Sequence, residues 1–186
     1  MKWVQARHLA QWINIYRLYK KAFPISERKP FSIIRSMQKK GKTDVWYLEK
    51  DGVFVGFATT INGDDLILLD YLAVVEKKRG KGIGTAIMQQ LRAQYEGKGV
   101  FLEIERPYTD APNAEERIKR KQFYLSCQMK ALGVFVRLFG VDMELMGWDC
   151  TMDYDTYRSF YLKYYSEYAA NHIQPCEDLP AHHDEN

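Results

Sequence analysis

Cysteine is scarce in this chain and shows no pattern. Cys127, Cys150 and Cys176 are odd in number and far apart, which excludes a disulfide framework and a C-x-x-C metal or redox site and leaves free thiols. The histidines offer no metal-ligand spacing, and His182-His183 fall in an acidic, proline-containing tail. No apolar run reaches the roughly 20 residues that span a bilayer, and Met1-Lys2-Trp3-Val4-Gln5-Ala6-Arg7-His8 lacks the apolar centre of a secretion signal. Charge of one sign is also scarce. The net charge is only +3, with Lys and Arg interleaved among Asp and Glu, so neither a broad basic face for nucleic acid nor a membrane-bound protein is expected. Internal repeats and low-complexity segments are absent. The expectation is a cytoplasmic protein, monomeric or a homodimer, with a single domain over residues 1–172 and a poorly ordered tail over residues 173–186.

The patterned segments alternate between helix and strand. Residues 9–23 place Leu9, Trp12, Ile13, Tyr16, Tyr19 and Phe23 at three- and four-residue steps, which predicts an amphipathic helix. Pro24 and Pro30 bound a loop, and residues 31–40 form a second short helix ended near Gly41. Residues 44–49 and 53–61 read as strands joined by Lys50-Asp51-Gly52, a hairpin turn. Asn62-Gly63-Asp64 turns the chain into a third strand, 66–75. A helix follows over 82–95 with Ile83, Ile87 and Leu91 on one face, then a strand at 100–105, a helix at 114–129, and strands at 133–139 and 141–148. The last helix begins near Asp153 and carries Tyr154, Tyr157, Phe160, Tyr161, Tyr164, Tyr165 and Tyr168, a spacing that favours core packing or a subunit interface.

The strand at 66–75 runs into Arg79-Gly80-Lys81-Gly82-Ile83-Gly84-Thr85 and then into a helix. First-turn N–H groups have no intrahelical partner and the helix dipole is positive there, so such a turn attracts phosphate. Arg79 and Lys81 add formal charge that a purely structural turn does not require. The segment is no nucleoside-triphosphate P-loop, which needs Gly-Lys-Ser/Thr, and no dinucleotide loop, since Thr85 stands where G-x-G-x-x-G requires glycine. It reads R-x-x-G-x-G through Arg79, Gly82 and Gly84 and resembles the signature of the GNAT superfamily of N-acetyltransferases. The order of elements agrees with that superfamily over residues 45–136, including the Phe123-Tyr124 pair on the later helix.

The resemblance implies an α/β (α+β) fold: a central, mostly antiparallel mixed sheet flanked by helices, with strands splayed at the acetyl-coenzyme A site. It implies that residues 79–85 cradle the pyrophosphate of acetyl-coenzyme A, that exposed backbone at Leu72, Ala73 and Val74 holds the pantetheine arm, and that an N–H of Leu72 or Val74 stabilises the oxyanion. Tyr124 matches the tyrosine that protonates the leaving thiolate. The family's asparagine seven residues earlier is Arg117 here, and its Gly-Phe pair after the tyrosine is Gln128-Met129. No metal is implied.

Acetyl transfer also needs a base. Strand alternation puts Asp70 on one face with Leu72 and Val74, so Asp70 is either the base or a carboxylate paired with a nearby cation. Glu103 and Glu105 share the face opposite Val100, Leu102 and Ile104, where they either meet solvent or line the acceptor cleft. The resemblance makes Glu27, in the loop between the first two helices, a further candidate to border that cleft, while Arg28 and Lys29 read as a charged surface turn. Carboxylates at Asp70, Glu103, Glu105 and Glu27 would favour a cationic amine, either a small molecule or a peptide. A non-catalytic acyl-coenzyme A-binding module is the alternative.

Overall fold

The structure, a computed structural model, describes residues 1–107 and 113–176. Its contacts group into two compact units, the first being residues 1–102 with 147–150 and the second the remainder. The residues of the expected tail beyond 176, His182 and His183 among them, lie outside the described ones.

Five strands lie in chain order: β1 (Lys2–Gln5), β2 (Thr43–Lys50), β3 (Val53–Asn62) and β4 (Leu66–Val74) in the first unit, and β5 (Gly99–Glu105), whose residues up to Leu102 belong to the first unit and the rest to the second. Strand β1 was not expected from the sequence. Its four residues alternate too briefly to signal a strand, and it forms by pairing Lys2–Gln5 with Trp46–Glu49 of β2. The β2–β3 hairpin turns on Asp51 and Gly52 at φ 53° and 75°. Left-handed backbone at both positions is what a two-residue turn needs to match the twist of its strands.

The β3–β4 ladder carries the feature that matters most for function. Thr59 opposes Tyr71 and Thr60 opposes Leu69, which leaves Asp70 as the extra residue of a β-bulge. On its other side β4 pairs in parallel with β5 only through Leu66–Leu68 against Gly99–Phe101. Beyond Leu68 this edge has no ladder partner among the described residues. A bulge increases local twist and bends its strand, and here it falls just past the last paired residues. The opposite edge is drawn close: a Cβ on Gly56 of β3 would lie 2.6 Å from the carbonyl oxygen of Ala73.

Helices cover both faces of these strands. α1 (Leu9–Ala22) and α2 (Phe31–Lys39) bury Trp12, Ile15, Leu18, Tyr19 and Ile34 against Val45, Tyr47, Phe57, Tyr71 and Ala73. Leu9, Ile13 and Tyr16, expected on the same apolar face, stay exposed. The spacing that relates them to Trp12 and Tyr19 spreads round more of the helix than one sheet can cover. Trp46 points away from α1, and its indole N–H donates to the Tyr95 hydroxyl at the end of α3 (Ile83–Gln94). α3 buries Ile83, Ile87, Met88 and Leu91.

In the second unit the strand order is β7 (Val141–Trp148), β6 (Lys130–Leu138), β8 (Ile173–Pro175). Ile173–Pro175, expected as the start of the tail, pair antiparallel with Val136–Leu138. α4 (Ala114–Ser126) ends earlier than expected because Gln128 turns left-handed at φ 67°. The expected last helix is broken into α5 (Tyr154–Phe160), a π turn at Tyr161–Tyr165 and α6 (Glu167–Ala170). Ser166 is extended, and its hydroxyl caps α6 by accepting from the Ala169 N–H. Tyr157, Phe160 and Tyr161 are buried whereas Tyr168 is exposed. The arrangement of all these elements is the expected mixed, mostly antiparallel α/β fold.

Candidate active site

The glycine-rich turn folds as its residues dictate. After Val74 the chain makes one 3-10 turn, Glu76–Lys78, then passes through Gly80 and Gly82 at φ 69° and 73°. Gly82 is the N-cap of α3, and a Cβ there would meet nothing within 4 Å. Backbone conformation therefore requires this glycine, with open space above it. Ile83 buries its side chain and fixes the start of α3 in the core, so only its main chain faces outward. The first-turn N–H groups at Ile83, Gly84 and Thr85 have no intrahelical partner, and Arg79 and Lys81, a few residues before them, are exposed. The Arg79 guanidinium also folds back, donating from Nε to the Val74 carbonyl at 3.2 Å.

That contact reports how the edge of β4 is oriented. The Val75 N–H donates to the Val55 carbonyl on β3. Main-chain groups alternate sides along a strand, so those of Val74 and Leu72 point away from β3, along the stretch that β5 does not pair. Ala73 points its main chain to β3 and its side chain into the core. A strand edge with open N–H groups, leading into a helix N-terminus with two cations, can hold an extended amide-containing chain ending in phosphates.

Asp70 sits where the bulge aims it. Its carboxylate accepts from Lys29 Nζ at 2.6 Å, and both side chains are only 12% exposed. The Thr59 hydroxyl lies 3.5 Å from the same Asp70 oxygen, and the Lys29 ammonium lies 5.3 Å from the Tyr71 ring centroid. The loop bearing Lys29 is held by phenols: Lys29 N–H donates to the Tyr71 hydroxyl, which donates to the Glu27 carbonyl, and the Tyr19 hydroxyl donates to the Lys29 carbonyl. Burial raises the Tyr71 and Tyr19 phenols above their ordinary value, the Asp70 charge adding to the effect, so both remain donors. Lys29 is thus no surface residue, contrary to expectation. Its ammonium lies against Asp70 and the Tyr71 ring, which the sequence places far away, and only those contacts reveal its position. Glu27 is exposed, and its main chain, not its carboxylate, meets Tyr71.

In the second unit the two glutamates of β5 differ. Glu103 accepts from the hydroxyls of Tyr157 and Tyr161 on one oxygen, at 2.7 and 2.6 Å. Glu105 faces Arg117 at 3.1 Å and Arg120 at 3.6 Å. Arg117 also donates to the Arg106 carbonyl, so the position that departs from the family's asparagine holds the end of β5. Neither glutamate simply meets solvent. Tyr124, half-buried on α4, stacks tilted on Phe123, and its phenol is pushed up to about 12 by burial, the Arg120 guanidinium opposing the rise. A phenol of that kind holds its proton at neutral pH. Lys121 pairs with the buried Glu144 at 2.8 Å. Their partnership joins α4 to a strand and has no short-range pattern.

A cavity of about 510 Å³ lies away from the glycine-rich turn, lined by Gln89, Arg92, Lys98, Trp148 and Asp149. No three His, Cys, Asp or Glu side chains among the described residues are grouped to hold a metal, and no helix among them is long and apolar enough to cross a membrane.

Residues 12–119 match the family model described as Acetyltransferase (GNAT) family. No curated protein sequence matches the chain. Among solved structures the chain is similar to a protein from Bacteroides thetaiotaomicron described as a GNAT-family acetyltransferase, with TM-score 0.75 and 16% identity over 90% of this chain and 100% of that one. It is also similar to spermidine N-acetyltransferase from Vibrio cholerae in complex with CoA and spermine, with TM-score 0.63 and 11% identity over 79% and 94%. A third is the ribosomal-protein-S18-alanine N-acetyltransferase from Escherichia coli, with TM-score 0.60 and 17% identity over 81% and 94%. At these identities the likeness is one of fold.

Proposed function

Since the chain belongs to the GNAT acetyltransferase family, we propose that it is a cytoplasmic N-acetyltransferase moving the acetyl group of acetyl-coenzyme A directly to a primary amine of a cationic acceptor. The observation that carries this reading is the open edge of β4, which ends in the Arg79 to Gly84 turn. In this reading the turn holds the pyrophosphate, and the outward main chain at Leu72 and Val74 holds the pantetheine arm.

Asp70 takes a proton from the acceptor's ammonium, and the freed nitrogen attacks the thioester carbonyl. An N–H at Leu72 or Val74 stabilises the oxyanion as the C–S bond breaks, and Tyr124 gives the thiolate its proton. Glu103 and Glu105 are assigned to recognition of positive charge rather than to proton transfer, since each already accepts from phenols or guanidinium groups and is poorly placed to take a proton. Similar folds whose descriptions name spermidine acetylation lend weight to a cationic acceptor. No metal is required, and a monomer or homodimer suffices. The single domain over residues 1–172 belongs to the same reading.

The deciding experiment is release of free thiol from acetyl-coenzyme A against a panel of amines, polyamines, amino acids, aminoglycosides and peptides. Turnover with polyamines or aminoglycosides but not with neutral amines is expected. Tight donor binding without turnover on any amine would favour a non-catalytic acyl-coenzyme A-binding module.

A further inference from the structure

A buried carboxylate, a hydroxyl and an aromatic face together make the chemistry that recognises an alkylammonium ion. Asp70 and Tyr71 supply the carboxylate and the ring, Thr59 places its hydroxyl 3.5 Å from the Asp70 carboxylate, and the ion held there in this structure belongs to the chain itself. Lys29 Nζ lies 2.6 Å from Asp70 Oδ2 and 5.3 Å from the Tyr71 ring centroid. Its main chain is pinned on both sides, the N–H on Tyr71 and the carbonyl on Tyr19. The backbone of the loop is therefore fixed independently of the lysine side chain. Four methylene groups reach from that fixed backbone to the carboxylate, and rotation about them can withdraw the ammonium while the phenols keep the loop in place.

We propose that the Asp70–Tyr71–Thr59 cluster is the ammonium subsite of the acceptor cleft and that Lys29 fills it as an internal stand-in until an alkylammonium acceptor displaces it. The inference rests on the reading of Asp70 as the residue that meets the acceptor. Lys29 then acts as a specificity-determining residue. An acceptor must offer an ammonium able to replace that of Lys29, and a neutral amine leaves the ion pair standing. The Asp70 carboxylate is also never left unpaired in a poorly solvated place. The exchange of one ammonium for another keeps it paired and brings the acceptor's N–H to the base.

The test removes the internal cation and supplies an external one. Full-length Lys29→Ala is titrated with n-butylammonium chloride at constant ionic strength and followed by its thermal midpoint, without acetyl-coenzyme A. A saturable rise is expected, with a Kd at least tenfold below that for the wild-type chain. The rise should be absent with n-butanol and absent in Lys29→Ala/Asp70→Asn. If Lys29→Ala does not fold, Lys29→Met preserves most of the volume without the charge, and methylammonium is then the probe. No saturable response in the variant that folds, or an equal response after Asp70→Asn, overturns the subsite. Because this readout needs no donor, the two readings fail separately: thiol release without an ammonium response removes only the subsite, and an ammonium response without thiol release removes only acetyl transfer.

Discussion

Two loops of the first unit contain similar residues and behave in opposite ways. Residues 79–85 and residues 24–30 are both short, basic and bounded by residues that interrupt helices. In the first, Arg79 and Lys81 remain exposed, and left-handed glycines keep the backbone open in front of a helix. In the second, Lys29 is drawn in by a buried carboxylate and the backbone is tied down by Tyr19 and Tyr71. A basic residue is thus a means of attracting an outside anion where its surroundings are backbone and water. It is a counter-ion of the protein itself where its surroundings are aromatic and acidic.

The most severe way to break this contrast is Gly82→Glu, which closes the open loop. It adds a like charge in front of the helix and forces a side chain into φ 73°, so acetyl-coenzyme A binding by calorimetry should be abolished while the circular dichroism stays near wild type. Retained affinity would remove the distinction between the two loops. Asp70→Asn attacks the other loop. It removes the base and leaves the Lys29 ammonium without its counter-ion, so kcat should fall by about 10²-fold or more while donor affinity holds.

Tyr124→Phe is next, with kcat lower by about 10²-fold, the smaller end of the range for a general acid. Its pH dependence carries a sign. The phenol ionises at 10.0 ordinarily and near 12 in the fold. Its contribution to stability is therefore fully present below pH 10 and is lost as the pH rises towards 12, and the rate should not decline between neutral pH and pH 10 for want of this proton. An alkaline limb centred near the ordinary phenol value would show that the Tyr124 phenol is not held above that value in solution.

Smaller still, Glu103→Gln should raise KM for the amine several-fold with little change in kcat, since two phenols keep the side chain in place. Smallest is Tyr71→Phe, which removes the hydroxyl joining Lys29 N–H to the Glu27 carbonyl. A loss of about 1–3 kcal/mol in chemical denaturation is expected, with acetyl-coenzyme A affinity untouched. If Tyr71→Phe weakens the donor as much as Gly82→Glu does, the loops are not separate devices.

What could be read in the sequence follows the range of the forces involved. The β2–β3 turn, the helical face of Ile83, Ile87 and Leu91, and the glycine-rich turn are all set by residues within a few positions of one another, and all were legible. Strand β1 was not, because four residues need the β2 edge to become a strand. Nor was the break at Ser166, where tyrosine spacing continues as if helical while the backbone opens into a π turn. At the candidate site, Asp70 stood out as an isolated carboxylate in an apolar strand. Its partner did not, since 41 residues separate it from Lys29. The bulge that aims Asp70 is likewise a property of two strands counted against each other, which one strand's alternation cannot disclose.

The open edge of β4 has a consequence for how the protein keeps its own company. An unpaired strand edge is a template on which another chain can add a strand, the first step of edge-to-edge aggregation. Here the exposed stretch is short, twisted at its start by the Asp70 bulge, and closed at its end by Arg79, whose guanidinium already occupies the Val74 carbonyl. These features blunt the template without sealing it. A ligand lying along that edge would complete the protection, so aggregation in dilute solution should slow when acetyl-coenzyme A is present, and Arg79→Ala without donor should be the form that associates most readily.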